Sequence, residues 1–247
     1  MEIFRKEESF AMVMLDCKWQ LSPSQLVANK NEVHIWRSNL NLPTEKVDIL
    51  AQTLSTDERQ RSKKFHFEQD RQRFTVARGL LRTILGNYLS IPADLIEFSY
   101  GQHGKPEIKA TPLRFNLSHS QNLVLYAITC DRNLGIDLEF IRPVTEAEHI
   151  AKRYFSPREN AGFQALSPDQ KPTGFFHHWT RKEAYLKAVG AGLAAGNDDF
   201  DETVATESDR AHRWFLRSFV PAPNYLATVA VEGNGWDIFY LEPSFLL

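Results

Sequence analysis

The segment FFHHWTRKEAYLKAVG, residues 175–190, predicts a strong helix with an acid and a base on one stripe. Trp179, Glu183 and Lys187 recur at intervals of four, so they share a helix face, and Gly190 is suited to end the helix. On most helices such a Glu–Lys pair is exposed and contributes roughly 0.2–0.5 kcal/mol. The flanking aromatic residues indicate instead a partly enclosed stripe, where an acid and a base can act on a substrate. A buried ion pair with a purely structural role is the alternative.

A second acidic feature is GIDLE, residues 135–139, in a predicted strand. Side chains alternate along a strand, so Asp137 and Glu139 share one face and repel each other. An isolated pair of this kind is most often a solvated strand edge. Together with Glu183, however, these acids form an all-oxygen set that suits Mg²⁺ or Mn²⁺, with phosphate oxygens as further ligands. The three acids therefore predict metal-assisted phosphate chemistry.

Composition narrows the functional classes. The 247 residues are 43% hydrophobic and 12% aromatic, enough for a packed core in one large domain or two smaller ones. A formal charge of −2 provides no global attraction to nucleic acid or anionic membrane. Cys17 and Cys130 lie far apart in the sequence, and neither a signal peptide nor a run of about 20 apolar residues is recognisable. We expect a soluble cytoplasmic protein.

The order of elements indicates an α+β fold. EVHIWRSNL, residues 32–40, has the alternation of a half-buried strand, and STDE, residues 55–58, is a capping box that starts a helix. A longer helix follows from about Asp70, and the middle of the chain is rich in strand patterns. Ser-Pro start signals at Ser156 and Ser167 precede the helix quoted above. A faint repeat at a shift of 105 residues predicts two similar halves, 1–133 and 134–247.

Basic residues cluster between Arg59 and Arg82. The usual interpretation of such a run is a solvated helix face. Nucleic-acid binding is an alternative, because aromatic residues alternate with the arginines, but the acidic total and the lack of a recognised module oppose it. A small phosphorylated ligand requires only a few of these arginines.

Two short motifs complete the candidate site. In GKPEI, residues 104–108, a Gly-Lys-Pro turn leaves its backbone open to a flat ring. In FNLSHS, residues 115–120, we place His119 at a turn between two strands. A lone histidine is more often a structural residue, but beside Ser118 and Ser120 it is equally able to donate to a phosphate.

The motifs GKPEI, FNLSHS, GIDLE, FSPRE and WTRKEAYLKAVGAGL occur in the order and at about the spacing of a known family. In them the chain resembles the 4′-phosphopantetheinyl transferases of the surfactin type. The resemblance covers nearly the whole chain. The chain is especially similar to cyanobacterial members of this family, including those that serve heterocyst glycolipid synthesis.

The resemblance implies two similar α+β halves with coenzyme A in the cleft between them. It also implies transfer of phosphopantetheine from coenzyme A to a serine of an apo acyl or peptidyl carrier protein, with release of 3′,5′-adenosine bisphosphate. Two halves in one chain make a monomer sufficient, and neither nucleic acid nor membrane is an expected partner. A non-catalytic module that binds coenzyme A or carrier proteins is the alternative.

The resemblance also implies roles for individual residues. The implied magnesium ligands are Asp137, Glu139 and Glu183, and the implied catalytic residues are Asp137, Glu183 and Lys187. Glu183 is the expected general base, with a metal-bound water as the alternative. The implied contacts to coenzyme A are Lys187 at the pyrophosphate, Ser118 and His119 at the phosphates, Gly104, Lys105 and Pro106 at the adenine, and Arg61 and Arg73 near the 3′-phosphate.

One departure concerns the 3′-phosphate. Where some relatives have a further lysine at the start of the first basic helix, this chain has Glu58, which serves the capping box. We therefore expect fewer charges at the 3′-phosphate, or a contribution from Arg59.

Overall fold

The computed structural model describes residues 17–101, 104–190 and 214–246. None of the helices in these ranges combines the length and the apolarity needed to cross a bilayer. The helices there are α1 (Thr44–Gln52), α2 (Thr56–Ser62), α3 (Glu68–Leu89), α4 (Ala147–Tyr154), α5 (Pro157–Gln164) and α6 (Lys171–Val189). The strands are β1 (Gln20–Leu21), β2 (Glu32–Asn39), β3 (Ser99–Tyr100), β4 (Pro106–Glu107), β5 (Leu113–Ser120), β6 (Leu123–Cys130), β7 (Leu134–Phe140), β8 (Trp214–Phe219), β9 (Tyr225–Glu232) and β10 (Asp237–Glu242).

Two sheets organise the chain. The first has the strand order β1-β10-β2-β6-β5, the second has the order β7-β9-β8, and β3 and β4 form a small separate hairpin. The change of sheet between β6 and β7 falls where the sequence predicts a boundary, near residue 133. The last strand, β10, returns to the first sheet and pairs in parallel with β2. The division into halves at that residue therefore stays a prediction.

Strand β2 is buried on both faces, so the prediction of a half-buried strand is wrong. Trp36 packs into the core that includes the apolar face of α3. Val33 and Ile35, on the opposite face, pack into the core that includes apolar residues of β7 and β9. The central strand therefore lies between a helix and a second sheet, which its own alternation does not reveal.

Helix α6 lies directly against β7. A Cβ atom at Gly135 would clash with the Ala184 carbonyl oxygen and the Ala188 backbone nitrogen, so only glycine permits this approach. The backbone of the helix is therefore held against the strand that carries Asp137.

The predicted helix signals are mostly confirmed. Capping boxes are present at Ser55 and at Ser156, and Gly190 ends α6 with a φ of +74°. The start predicted at Ser167 is wrong, because α6 begins at Lys171. The Ser167 hydroxyl donates to Gln170 Oε1 at 2.9 Å, so these two side chains close a turn before the helix instead of capping it.

Candidate active site

Side chains join the two sheets along β5 and β7, the edge strands that face each other. In each of three contacts a backbone N–H of β7 donates to a side-chain oxygen of β5. The contacts run from Ile136 to Asn116 Oδ1 at 2.9 Å, from Leu138 to Ser118 Oγ at 3.2 Å, and from Phe140 to Ser120 Oγ at 3.1 Å. This seam fixes the register of β7 against β5.

The serines of the seam also hold the two acids of β7. Ser118 Oγ donates to Asp137 Oδ1 at 3.0 Å, and Ser120 Oγ donates to Glu139 Oε2 at 3.0 Å. Sequence reasoning missed Asn116 and Ser120 as site residues. The signal was available, because they share a strand face with Ser118 in FNLSHS.

Lys187 of α6 reaches the same seam. Its Nζ lies 2.6 Å from Asp137 Oδ1, 3.2 Å from Ser118 Oγ and 3.3 Å from the Ile136 carbonyl oxygen. Only 6% of the Asp137 side chain and 29% of the Lys187 side chain are exposed. The ion pair is therefore largely removed from water, and it joins the helix to the strand.

Acidic side chains outnumber basic ones around Lys187. We name Asp137, Glu139, Glu183 and Lys187 the carboxylate group. Burial raises the pKa of Glu183, the negative charge of Asp137 raises it further, and Lys187 opposes both effects. Burial and Asp137 likewise raise the pKa of Glu139. Asp137 Oδ2 and Glu183 Oε1 are buried and have no hydrogen-bond partner in the part of the chain that the structure describes. Within the group, three acids therefore share one lysine, and Arg142 lies 3.7 Å from Glu139 at its edge.

The metal prediction can be tested against this geometry. Among the described residues, no cluster of three or more His, Cys, Asp or Glu side chains is already arranged as a metal-ligand set. The donor types are nevertheless all carboxylate oxygens, and two of these atoms are buried with no hydrogen-bond partner among the residues that the structure describes. Such a set fits a hard divalent cation. The assignment of Asp137, Glu139 and Glu183 as ligands stays a prediction.

A cavity of about 560 Å³, which we name the basic cavity, borders the carboxylate group. Ser120 lines the cavity and also donates to Glu139, so it connects the two. The aromatic part of the lining includes Phe65, Phe74 and Tyr100. The lining residues that the sequence predicts as coenzyme A contacts are Arg61, Arg73, Gly104, Pro106 and His119.

The cations of this cavity are held by local contacts. The Arg61 guanidinium lies over the Phe74 ring, 5.4 Å from its centroid, and Arg73 Nη2 donates to Asn122 Oδ1 at 2.6 Å. Burial lowers the pKa of His119, and the positive charges of Lys187 and Arg73 lower it further. An anion that enters the cavity would favour the protonated imidazole and raise the pKa of His119.

Three predicted residues occupy positions that the sequence did not indicate. His119 lies within β5, because the turn that follows the strand is formed by Gln121 and Asn122. Ser118 is engaged in the seam by the contacts described above. The Lys105 ammonium donates to the carbonyl oxygens of Leu134 and Lys187, while its neighbours in the turn line the basic cavity.

Glu58 serves the capping box, as predicted, and is also the centre of a buried ion cluster. Its carboxylate accepts hydrogen bonds from Arg78 Nε at 3.0 Å and from Arg82 Nε at 2.5 Å. Arg59 does not line the basic cavity: its Nε donates to the Leu54 carbonyl at 2.8 Å. The basic run is therefore partly buried, and a solvated helix face describes only some of its members.

Two models of known protein families match successive segments of this chain. A family model described as "4'-phosphopantetheinyl transferase, N-terminal" matches residues 36–131, and one described as "4'-phosphopantetheinyl transferase superfamily" matches residues 133–230. These successive matches and the mixed topology confirm the predicted α+β fold with two halves.

Three relatives illustrate the similarity, and all are named 4′-phosphopantetheinyl transferases. HetI from a Nostoc species is 44% identical over 231 residues, which are 91% of this chain and 98% of HetI. Sfp from Bacillus subtilis is 29% identical over 196 residues, covering 76% of this chain and 86% of Sfp. AcpT from Escherichia coli is 38% identical over 166 residues, covering 66% of this chain and 82% of AcpT. The resemblance drawn from the motifs is confirmed: this chain belongs to the 4′-phosphopantetheinyl transferase family and is an enzyme of that class.

Proposed function

We propose that this enzyme transfers the 4′-phosphopantetheine arm of coenzyme A to a serine hydroxyl of an apo acyl or peptidyl carrier protein and releases 3′,5′-adenosine bisphosphate. The observation that carries the proposal is the connection of the basic cavity, through Ser120, to a group in which three carboxylates share one lysine. A cavity with arginines suits the phosphates of the donor, and the adjacent acids suit the cation that a pyrophosphate brings.

The basic cavity would hold the adenosine end of the donor. Arg61 and Arg73 provide permanent positive charge for phosphate oxygens, and His119 adds a donor when an anion raises its pKa. Gly104 and Pro106 form an open turn at the cavity wall, where a flat base can approach the backbone. Glu58 neutralises neighbouring arginines, so Arg61 and Arg73 would carry most of the 3′-phosphate binding.

The pyrophosphate would lie beside the carboxylate group. Asp137, Glu139 and Glu183 would hold Mg²⁺ or Mn²⁺ there, and such an ion supplies charge neutralisation for phosphoryl transfer. Lys187, already directed at Asp137 and Ser118, would stabilise charge on the leaving bisphosphate. The same contacts keep its ammonium from turning towards solvent.

The carrier serine requires a base as it attacks the phosphorus that bears the pantetheine arm. A new oxygen–phosphorus bond forms, and the bridging bond to the 5′-phosphate of the adenosine bisphosphate breaks with its electron pair. Glu183 would accept the serine proton directly or through a water, and its raised pKa favours that acceptance. General-base catalysis of this kind typically contributes about 10² to 10⁴ in rate.

The test is intact-mass spectrometry of apo carrier proteins incubated with the enzyme, coenzyme A and Mg²⁺. Carriers from fatty-acid, polyketide and peptide synthases form the panel. We expect a gain of one phosphopantetheine on at least one carrier, and we expect chelation of the metal to abolish it. Tight binding of coenzyme A with no mass gain under any divalent metal would instead identify a non-catalytic binding module and overturn the proposal.

A further inference from the structure

Lys105 connects three parts of the site. It lies in the turn before β4, between Gly104 and Pro106, which both line the basic cavity. Its Nζ donates to the Lys187 carbonyl oxygen at 2.8 Å and to the Leu134 carbonyl oxygen at 2.9 Å. One ammonium therefore links the cavity wall to α6 and to β7.

Both acceptors belong to the elements that position the catalytic side chains. Lys187 lies in the last turn of α6, where backbone carbonyls lack the usual partners and the helix dipole favours a positive charge. Leu134 begins β7, the strand that carries Asp137. A shift of the turn would therefore act on the backbone of the helix and of the strand, close to the Lys187–Asp137 ion pair.

The environment of Lys105 supports a fixed contact. Burial lowers its pKa to about 8, the charge of Arg114 acts in the same direction, and Glu107 opposes them. A cation kept in such surroundings requires good acceptors, and the two carbonyl oxygens provide them.

We infer that Lys105 is a positioning residue that couples donor binding in the basic cavity to the placement of Lys187 and Asp137. The inference rests on the proposed function. It differs from a direct contact between the Lys105 side chain and the donor, which would affect donor binding alone. It also differs from a purely structural role, which would affect stability alone.

The kinetic test compares Lys105→Met with Lys109→Met. Lys109 lies four residues further along and is exposed, and it provides the matched control. For Lys105→Met we expect the KM for coenzyme A to rise and kcat to fall by about tenfold or more, because misplacement of reacting groups by about 1 Å can cost 10² in rate. Lys109→Met should retain both constants. An unchanged kcat in Lys105→Met, with or without a change of KM or melting temperature, would overturn the inference.

Hydrogen exchange provides a test that needs no variant. With the wild-type enzyme, we expect added coenzyme A to slow amide exchange in the last turn of α6 and at the start of β7, beyond the slowing seen in β9. Unchanged exchange in both segments despite saturating coenzyme A would overturn the inference. Failure of the wild-type enzyme to modify any carrier is a different result, because it rejects the proposed function itself.

Discussion

Two buried charged clusters in this protein have opposite compositions. Around Glu58, one carboxylate faces Arg78 and Arg82, and Arg82 Nη1 also donates to the carbonyl oxygens of Ala93 and Ile96. Only 2% of the Glu58 and Arg82 side chains is exposed. This cluster is closed in the sense that its carboxylate oxygens and its guanidinium groups have partners inside the protein, although Arg78 also lines the basic cavity.

The carboxylate group has the reverse composition, with three acids facing Lys187 and two buried oxygens without partners among the described residues. Unpaired buried charge is costly, so a cluster of this kind is maintained for a reason other than stability. The first cluster is therefore part of the architecture, whereas the second suits the cation and the substrate of the proposed function.

The largest expected effect concerns the closed cluster. Glu58→Gln leaves two buried guanidinium groups without a negative partner, so we expect a loss of about 3–5 kcal/mol in the free energy of unfolding. Urea denaturation measures it. Glu45→Gln, in the exposed first turn of α1, is the control and should change stability by less than about 0.5 kcal/mol. A strong loss of transfer rate per folded Glu58→Gln molecule would contradict the assignment of this cluster to architecture.

Asp137→Asn tests the carboxylate group. The amide keeps the shape of the side chain but removes the charge that pairs with Lys187 and that would bind the proposed cation, so we expect the transfer rate to fall by about 10² to 10³. Mass spectrometry of the carrier protein measures the rate, and urea denaturation should show a smaller loss of stability than in Glu58→Gln. Wild-type transfer rates in Asp137→Asn would break the comparison.

Divalent cations should stabilise the enzyme by binding to the carboxylate group. At a Mg²⁺ concentration 100 times its dissociation constant, linkage predicts a gain of about 2.7 kcal/mol. Thermal unfolding with and without Mg²⁺ measures this gain, and Glu58 should play no part in it. An equal gain in Asp137→Asn would show that the cation binds elsewhere.

The smallest expected effect is a pH dependence of the metal-free enzyme. The raised pKa values of Glu139 and Glu183 mean that the folded state holds these protons more strongly than the unfolded state. Their contribution to stability is therefore complete below the ordinary carboxyl pKa of about 4.5 and is lost as pH rises through the raised values. Unfolding measured from pH 4 to pH 8 should show this decline, and the Glu139→Gln, Glu183→Gln double variant should show less of it. An unaltered decline would assign it to other groups.

Local patterns in the sequence predicted what depends on neighbouring residues. Strand alternation placed Asp137 and Glu139 on one face, and Ser55 and Glu58 formed the predicted capping box. The ordered motifs identified the family, which in turn suggested the residues of the basic cavity.

Long-range contacts decided the rest. Glu58 meets its arginines 20 and 24 positions away in sequence, and the Lys105 ammonium meets the Lys187 carbonyl 82 positions away. These sequence separations are far longer than a helix or strand repeat, so no local pattern reveals the contacts. The burial of β2 on both faces likewise depends on packing between elements that are remote in the chain.

The return of β10 to the first sheet has a consequence for biosynthesis. Strand β2 leaves the ribosome early, but its parallel neighbour, Asp237–Glu242, is translated some 200 residues later. Until then one edge of β2 is unpaired and able to associate with other chains. Completion of the first sheet is thus a late event, and we expect nascent or C-terminally truncated chains to depend on chaperones more than the finished enzyme does.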